Sequence, residues 1–197
     1  MNTTAAPEDH RSSIRQDLID AYASYFLFSD RVRRLRFRIQ MLSFLGLVAP
    51  LLVGAAATSY GFTSGVTILF VALAAVANVI LAPLSLWSLV SKWDDRLSYA
   101  IASAAENRKF WDRLRLIYEN KSIDDSTANG QAQGVRELAA ERNKTDDEQA
   151  VSEREKRLGH CAALRQMRYA CVECKKVPAT VADSACPICG KFSNWRF

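Results

Sequence analysis

The sequence predicts an all-α membrane protein: a two-helix transmembrane hairpin extended by cytosolic helices, with a small C-terminal four-cysteine zinc ribbon. Three observations lead there. Residues 41–91 contain no Asp, Glu, Lys or Arg, although 24% of the chain is charged. That run is broken only by a short polar and aromatic stretch, from Ser59 to Ser64. Four of the five cysteines fall into two CxxC pairs near the end of the chain.

The first forty residues are polar and hold no apolar core for a secretory leader, so the spans are expected to stay in the mature chain. Within this stretch Leu18, Tyr22, Tyr25, Phe28, Val32, Leu35 and Ile39 recur every three or four residues, which predicts a helix with one apolar face. Residues 41–58 and 65–90 are uncharged runs of eighteen and twenty-six residues, against the ~20 helical residues that cross a hydrocarbon core. The alternative, two buried helices of a soluble core, needs more apolar protein around them than the charged remainder offers. The turn between the runs is too short for a domain and carries no basic residue. Arg31, Arg33, Arg34, Arg36 and Arg38 precede the first span and Lys92 follows the second, so the positive-inside rule places both termini in the cytosol. Trp87 and Trp93 at one boundary, and Tyr60 and Phe62 at the other, match interfacial aromatic belts. Arg34, Arg36, Arg38, Trp87, Lys92 and Trp93 are therefore the expected membrane-interface residues.

Small residues recur within the spans: Gly46, Pro50, Gly54 and Thr58 in the first, and Ala75, Asn78, Ala82 and Ser85 in the second. Two readings stay open. The stripes pack helices closely, with Asn78 hydrogen-bonding a neighbour, or they line a pore in a homo-oligomer. Pro50 and Pro83 are compatible with either, since membrane helices tolerate proline.

After the second span, Leu97, Ile101, Ala104, Trp111, Leu114 and Tyr118 continue a helical apolar stripe, broken by Arg108. Residues 121–133 read as a polar linker, and residues 134–168 as mostly helix interrupted at 143–147. The expected division is a hairpin with flanking helices over 1–120, linker and arm over 121–160, and a knuckle over 161–197.

Cys171 and Cys174 pair with Cys186 and Cys189 across eleven residues. Two CxxC turns aim four thiolates at one point, a donor set suited to tetrahedral zinc. Gly190 in the second pair is expected to supply open backbone for the knuckle turn. The first pair lacks that glycine, which favours zinc over the iron that two glycine knuckles would suit. Cys161 with His160 reads as a spare ligand, a redox thiol or a small apolar residue. A closed four-thiolate site keeps no position for a reacting water, and no nucleophile or phosphate-loop motif is present, so no enzyme is expected. The net charge of +5 is concentrated beside the spans and in the tail. That distribution fits membrane lipid better than nucleic acid, although Phe192, Trp195 and Phe197 offer the tail a weak nucleic-acid or protein contact.

The run YFLFSDRVRRLR at residues 25–36, the two close spans and the helix continuing from Trp93 resemble the SLATT family, the SMODS and SLOG-associating two-transmembrane effectors, over residues 14–120. The cysteine spacing is similar to that of mobile-element proteins named for CxxC-x11-CxxC, which carry SLATT-like hairpins. This resemblance implies a bacterial anti-phage or mobile-element conflict system. In it a cytosolic sensor or signalling partner triggers hairpins to assemble and permeabilise the inner membrane. It transfers no active-site residue. The alternative is a membrane-anchored adaptor whose zinc ribbon binds a protein or nucleic-acid partner.

Overall fold

The computed structural model describes residues 10–61 and 63–191; Phe62 of the expected belt, and Phe192, Trp195 and Phe197 of the tail, lie outside the described residues. Among the described residues five helices form: α1 His10–Tyr60, α2 Gly65–Val90, α3 Trp93–Glu119, α4 Asp125–Asp147 and α5 Glu153–Met167. No strand occurs among the described residues. The chain divides into two compact units, one of residues 31–99 and one of residues 1–30 with 100–197. This cuts across the expected division at 120 and 160.

The unit of residues 31–99 holds the end of α1, all of α2 and the start of α3. Both α1 and α2 are long and apolar enough to cross a membrane, and only 11% and 6% of their apolar windows are buried. Pro50 and Pro83 lie inside these helices without ending them. The turn is shorter than expected because α1 runs to Tyr60, and Gly61 turns the chain at φ +78°, a left-handed conformation that glycine adopts without strain. Ser64 caps α2 by accepting from the Thr67 N–H at 3.1 Å. The buried Thr67 hydroxyl donates to the carbonyls of Gly61 at 2.7 Å and Ala56 at 3.3 Å. Ala56 and Ala57 are buried beside it, so small side chains at the end of α1 make room for the start of α2.

From Thr67, the less exposed positions of α2 step through Phe70, Ala74, Ala77, Leu81 and Ser88, and those of α1 through Leu42, Ala49, Val53 and Ala56. The small-residue stripes lie elsewhere. Gly46, Pro50, Gly54, Thr58, Ala75, Asn78, Ala82 and Ser85 are all exposed, and a Cβ at Gly46 or Gly54 would meet nothing within 4 Å. These residues therefore do not pack the two helices of one chain together. The contact stripe of α2 sits one position before the one that composition suggested.

The other unit is built around a core of Ile14, Leu18 and Ala21 from α1, Phe110, Trp111 and Leu114 from α3, and Ala128, Ala132 and Val135 from α4. The expected linker at 121–133 is thus corrected: most of it is α4. Asp124 caps that helix, accepting from the Thr127 N–H at 3.0 Å, and the alanines at helical spacing let α4 approach the core closely. The polar surface residues of the segment are its solvated face. Ion pairs Arg11–Asp125 at 2.6 Å and Arg136–Asp17 at 2.7 Å join α4 to α1. The interruption falls at 148–152, later than expected, and Ser152 and Glu155 then form a capping box that starts α5. A Cβ at Gly159 of α5 would stand 2.6 Å from the Ala23 carbonyl oxygen, so only glycine permits this approach of α5 to α1.

The buried face of α3 is Ala100, Ser103, Ala104, Asn107, Phe110, Trp111 and Leu114. Arg108 does not break it, because the inward position there is Asn107, while Ile101 of the expected stripe is 43% exposed. Ser103 donates to both carboxylate oxygens of the buried Asp146 at 2.8 and 2.9 Å, and Asn107 donates to the same carboxylate at 3.0 Å. Arg142 completes the group, 3.2 Å from Asp146 and 3.1 Å from Glu106. A buried charge is tolerated when it is paired and hydrogen-bonded, as here.

Candidate metal centre

The four cysteines of the two CxxC pairs come together after α5. Arg168 ends that helix in a left-handed conformation, φ 56°, and the chain turns at once into the first pair. The Lys175 N–H donates to the Cys171 carbonyl at 2.9 Å, and the Cys171 N–H donates to the Lys176 carbonyl at 3.0 Å. In the second pair the Lys191 N–H donates to the Ser184 carbonyl at 2.8 Å. Each pair is therefore a backbone-closed turn, and the eleven residues between them are irregular chain.

All four sulfurs lie within 4.8 Å of one another. Cys171 Sγ is 3.9 Å from Cys186 Sγ, and Cys174 Sγ is 3.7 Å from Cys189 Sγ. A tetrahedral ion with metal–sulfur bonds of ~2.3 Å places its sulfurs about 3.8 Å apart, so the donor set fits one such ion. Cys171 and Cys189 are buried, while Cys174 and Cys186 are half-buried. The backbone N–H groups of Cys189 and Ile188 hold the Cys186 thiol down at about 6, and burial pushes the Cys189 thiol up. A thiolate stabilised by backbone donors is the form that ligates metal.

The role of Gly190 differs from the one expected. Its backbone is not left-handed; instead a Cβ would stand 2.1 Å from Ser184 Oγ and 2.4 Å from the Ser184 carbonyl oxygen. Glycine is required there by the approach of Ser184. The left-handed positions are Lys175, φ 55°, and Lys191, φ 52°. The missing glycine of the first pair is thus a lysine held in the conformation glycine would favour.

Cys161 is 1% exposed and stands outside the four-sulfur group, its thiol donating to the Thr180 carbonyl at 3.8 Å. It packs with Ile19, Ala163, Leu164, Cys171 and Cys189 in one cluster, and burial pushes its thiol up. It serves as a small apolar residue under the cysteine centre. His160 is half-buried opposite Asp20, and burial lowers its basicity. Of the interface residues, Arg38 lies over the Trp93 ring at 6.0 Å; Arg36, Trp87 and Lys92 are exposed, and Arg34 is half-buried. Sequence reasoning missed Gly159 and the Ser103–Asn107–Asp146 group. A glycine inside a helical pattern was the available signal for the first, and Ser103 and Asn107 one turn apart on an apolar face for the second.

Five helices, two of them with the length and apolarity of membrane spans, carry a compact four-cysteine cluster with the geometry of a tetrahedral metal site; the class is an all-helical protein with a C-terminal cysteine knuckle. The chain belongs to the family described as Mobilome CxxCx(11)CxxC protein, whose model matches residues 11–192. No curated protein and no solved structure matches it.

Proposed function

We propose that this protein is an oligomeric membrane-permeabilising effector of a bacterial anti-phage or mobile-element conflict system, seated in the inner membrane with both termini in the cytosol and triggered through its cytosolic parts. The observation that carries this reading is the bare apolar surface of α1 and α2. Phe44, Leu47, Leu51, Ile68, Leu73 and Val79 are 58–74% exposed. Burial of each such side chain is worth about 1.5–3 kcal/mol, so this surface demands lipid or further helices. Asn78 is exposed on the same helix; an amide facing hydrocarbon is unfavourable, and a neighbouring copy relieves it. Two helices enclose no lumen, so the pore needs several hairpins. The resemblance to the SLATT family and the membership of a mobile-element family both support the setting. Zinc is the metal that best suits four thiolates in a reducing cytosol, iron being the lesser choice. The site is then structural, and the protein performs no chemical step.

The test is membrane potential in bacteria expressing the chain and its Asn78→Leu variant, read with a voltage dye alongside growth. Depolarisation by the parent and its loss in the variant are expected; a parent that is in the membrane, remains monomeric or dimeric and leaks no ions sinks the reading. A second reading, a membrane-anchored adaptor, is favoured by the exposed Arg165, Arg168, Lys175 and Lys176, which flank the first CxxC pair in the chain. Deleting residues 161–197 separates the two, because a pore core survives or misfires whereas an adaptor loses all activity.

A further inference from the structure

A groove of about 740 Å³ runs between α1, α5 and the chain that follows the first CxxC pair. Its floor is Phe26 and Ala162 with the aliphatic Val177, Pro178 and Val181, and its rim carries Arg165, Arg168 and the Gln166 amide. No acidic side chain lines it. Arg165 and Arg168 are both exposed, as are Lys175 and Lys176, which precede Val177 in the chain. An apolar trough edged by two guanidinium groups and no carboxylate selects an anion with an apolar body, and the planar guanidinium suits a carboxylate bidentately.

Three kinds of partner present that chemistry, and two fit poorly. A nucleic acid needs successive free aromatic faces on which its bases stack, but the lining is mostly aliphatic and its two rings are Phe26, which is half-buried, and Tyr22, which is engaged edge-on with Tyr25 at 5.6 Å and Trp111 at 5.4 Å. A bilayer surface takes up protruding apolar side chains, whereas Phe26, Pro178 and Val181 are half-buried and Ala162 is buried, which leaves Val177 as the exposed one of these five. A peptide alternating acidic and apolar residues satisfies both rim and floor. Arg168, which lines the groove, occupies a left-handed helix cap, where glycine is the usual residue and any other costs backbone strain.

We propose that this groove docks an acidic, apolar peptide segment of a partner protein. The proposal deepens the function above by giving the chemistry of the cytosolic trigger; it rests on that reading for its consequence only, because docking is measured by itself.

The experiment is fluorescence anisotropy with the full chain in detergent micelles and a short fluorescein-labelled peptide of alternating Glu and Leu. The same peptide with Gln in place of Glu is expected to bind about tenfold more weakly, the worth of a charge-assisted contact. Arg165→Gln and Arg168→Gly should each weaken the Glu-Leu peptide by about threefold to tenfold. Arg168→Gly also relieves the strained cap, so it should melt no lower than the parent, which separates lost binding from lost folding. Equal binding of the Glu and Gln peptides, or binding unchanged in both variants, overturns the proposal. A labelled oligothymidylate that binds more tightly than the Glu-Leu peptide and is lost in the variants assigns the groove to nucleic acid instead. A change of oligomer size in Arg168→Gly with peptide binding intact assigns it to a second copy of the chain.

Discussion

Gly190 and Lys175 occupy the same place in their CxxC pairs, directly after the second cysteine, yet they answer different demands. Gly190 has no room for a side chain because Ser184 lies against it, while Lys175 has room but holds a left-handed backbone. Substitution should therefore act in opposite directions. Gly190→Ala forces Ser184 away and pulls the second pair out of register, so metal content per chain should fall, as read by atomic emission of the purified protein. Lys175→Gly removes strain worth roughly 1 kcal/mol and should keep full metal content while raising resistance to a competing chelator. If both variants lost metal alike, the distinction between crowding and strain would be wrong. The cysteine spacing alone picked out the four cysteines that cluster; it could not reveal these roles, because they depend on where Ser184 lies and on a single dihedral angle.

At the scale of the elements, the helix faces were the part most easily misread. The apolar stripe of α3 seemed broken at Arg108, but the inward residue there is the polar Asn107, made welcome by Asp146 of α4. Hydrophobic periodicity cannot find a buried polar face whose partner lies thirty-nine residues away. Asp146→Ala would strip Ser103, Asn107 and Arg142 of their shared carboxylate at once. Removing one member of a buried charged group costs about 3 kcal/mol or more, and pulse proteolysis across a urea series should show the lowered midpoint. A change below about 0.5 kcal/mol, the range of ordinary surface substitutions, would mean that the group is solvated. The helical character of 121–133 was hidden for a related reason: Asp124, Asp125 and Ser126 read as loop residues, whereas they are the cap and first turn of α4.

For the whole molecule, the presence of two separate hydrophobic cores within the unit of residues 1–30 and 100–197 sets what metal removal should do. The cysteine centre packs with Ile19, Cys161 and Leu164, whereas the core of α1, α3 and α4 is built from other residues. Chelation at neutral pH should expose the four cluster thiols and then Cys161 to a thiol reagent, while most helical circular dichroism persists. Loss of the whole helical signal on chelation would show instead that the ion holds both cores. Acid should have the same effect as chelation, since protonated thiols do not ligate. The sequence by itself determined the two apolar runs, the short turn between them, the four clustered cysteines and the mobile-element CxxCx(11)CxxC family, because each is written in consecutive residues or fixed spacing. Only the tertiary structure decided which faces of the helices meet, that a polar stretch is α4, and why Gly159 and Gly190 must be glycine. Those depend on distant parts of the chain approaching to within a single side chain's width, which no local pattern encodes.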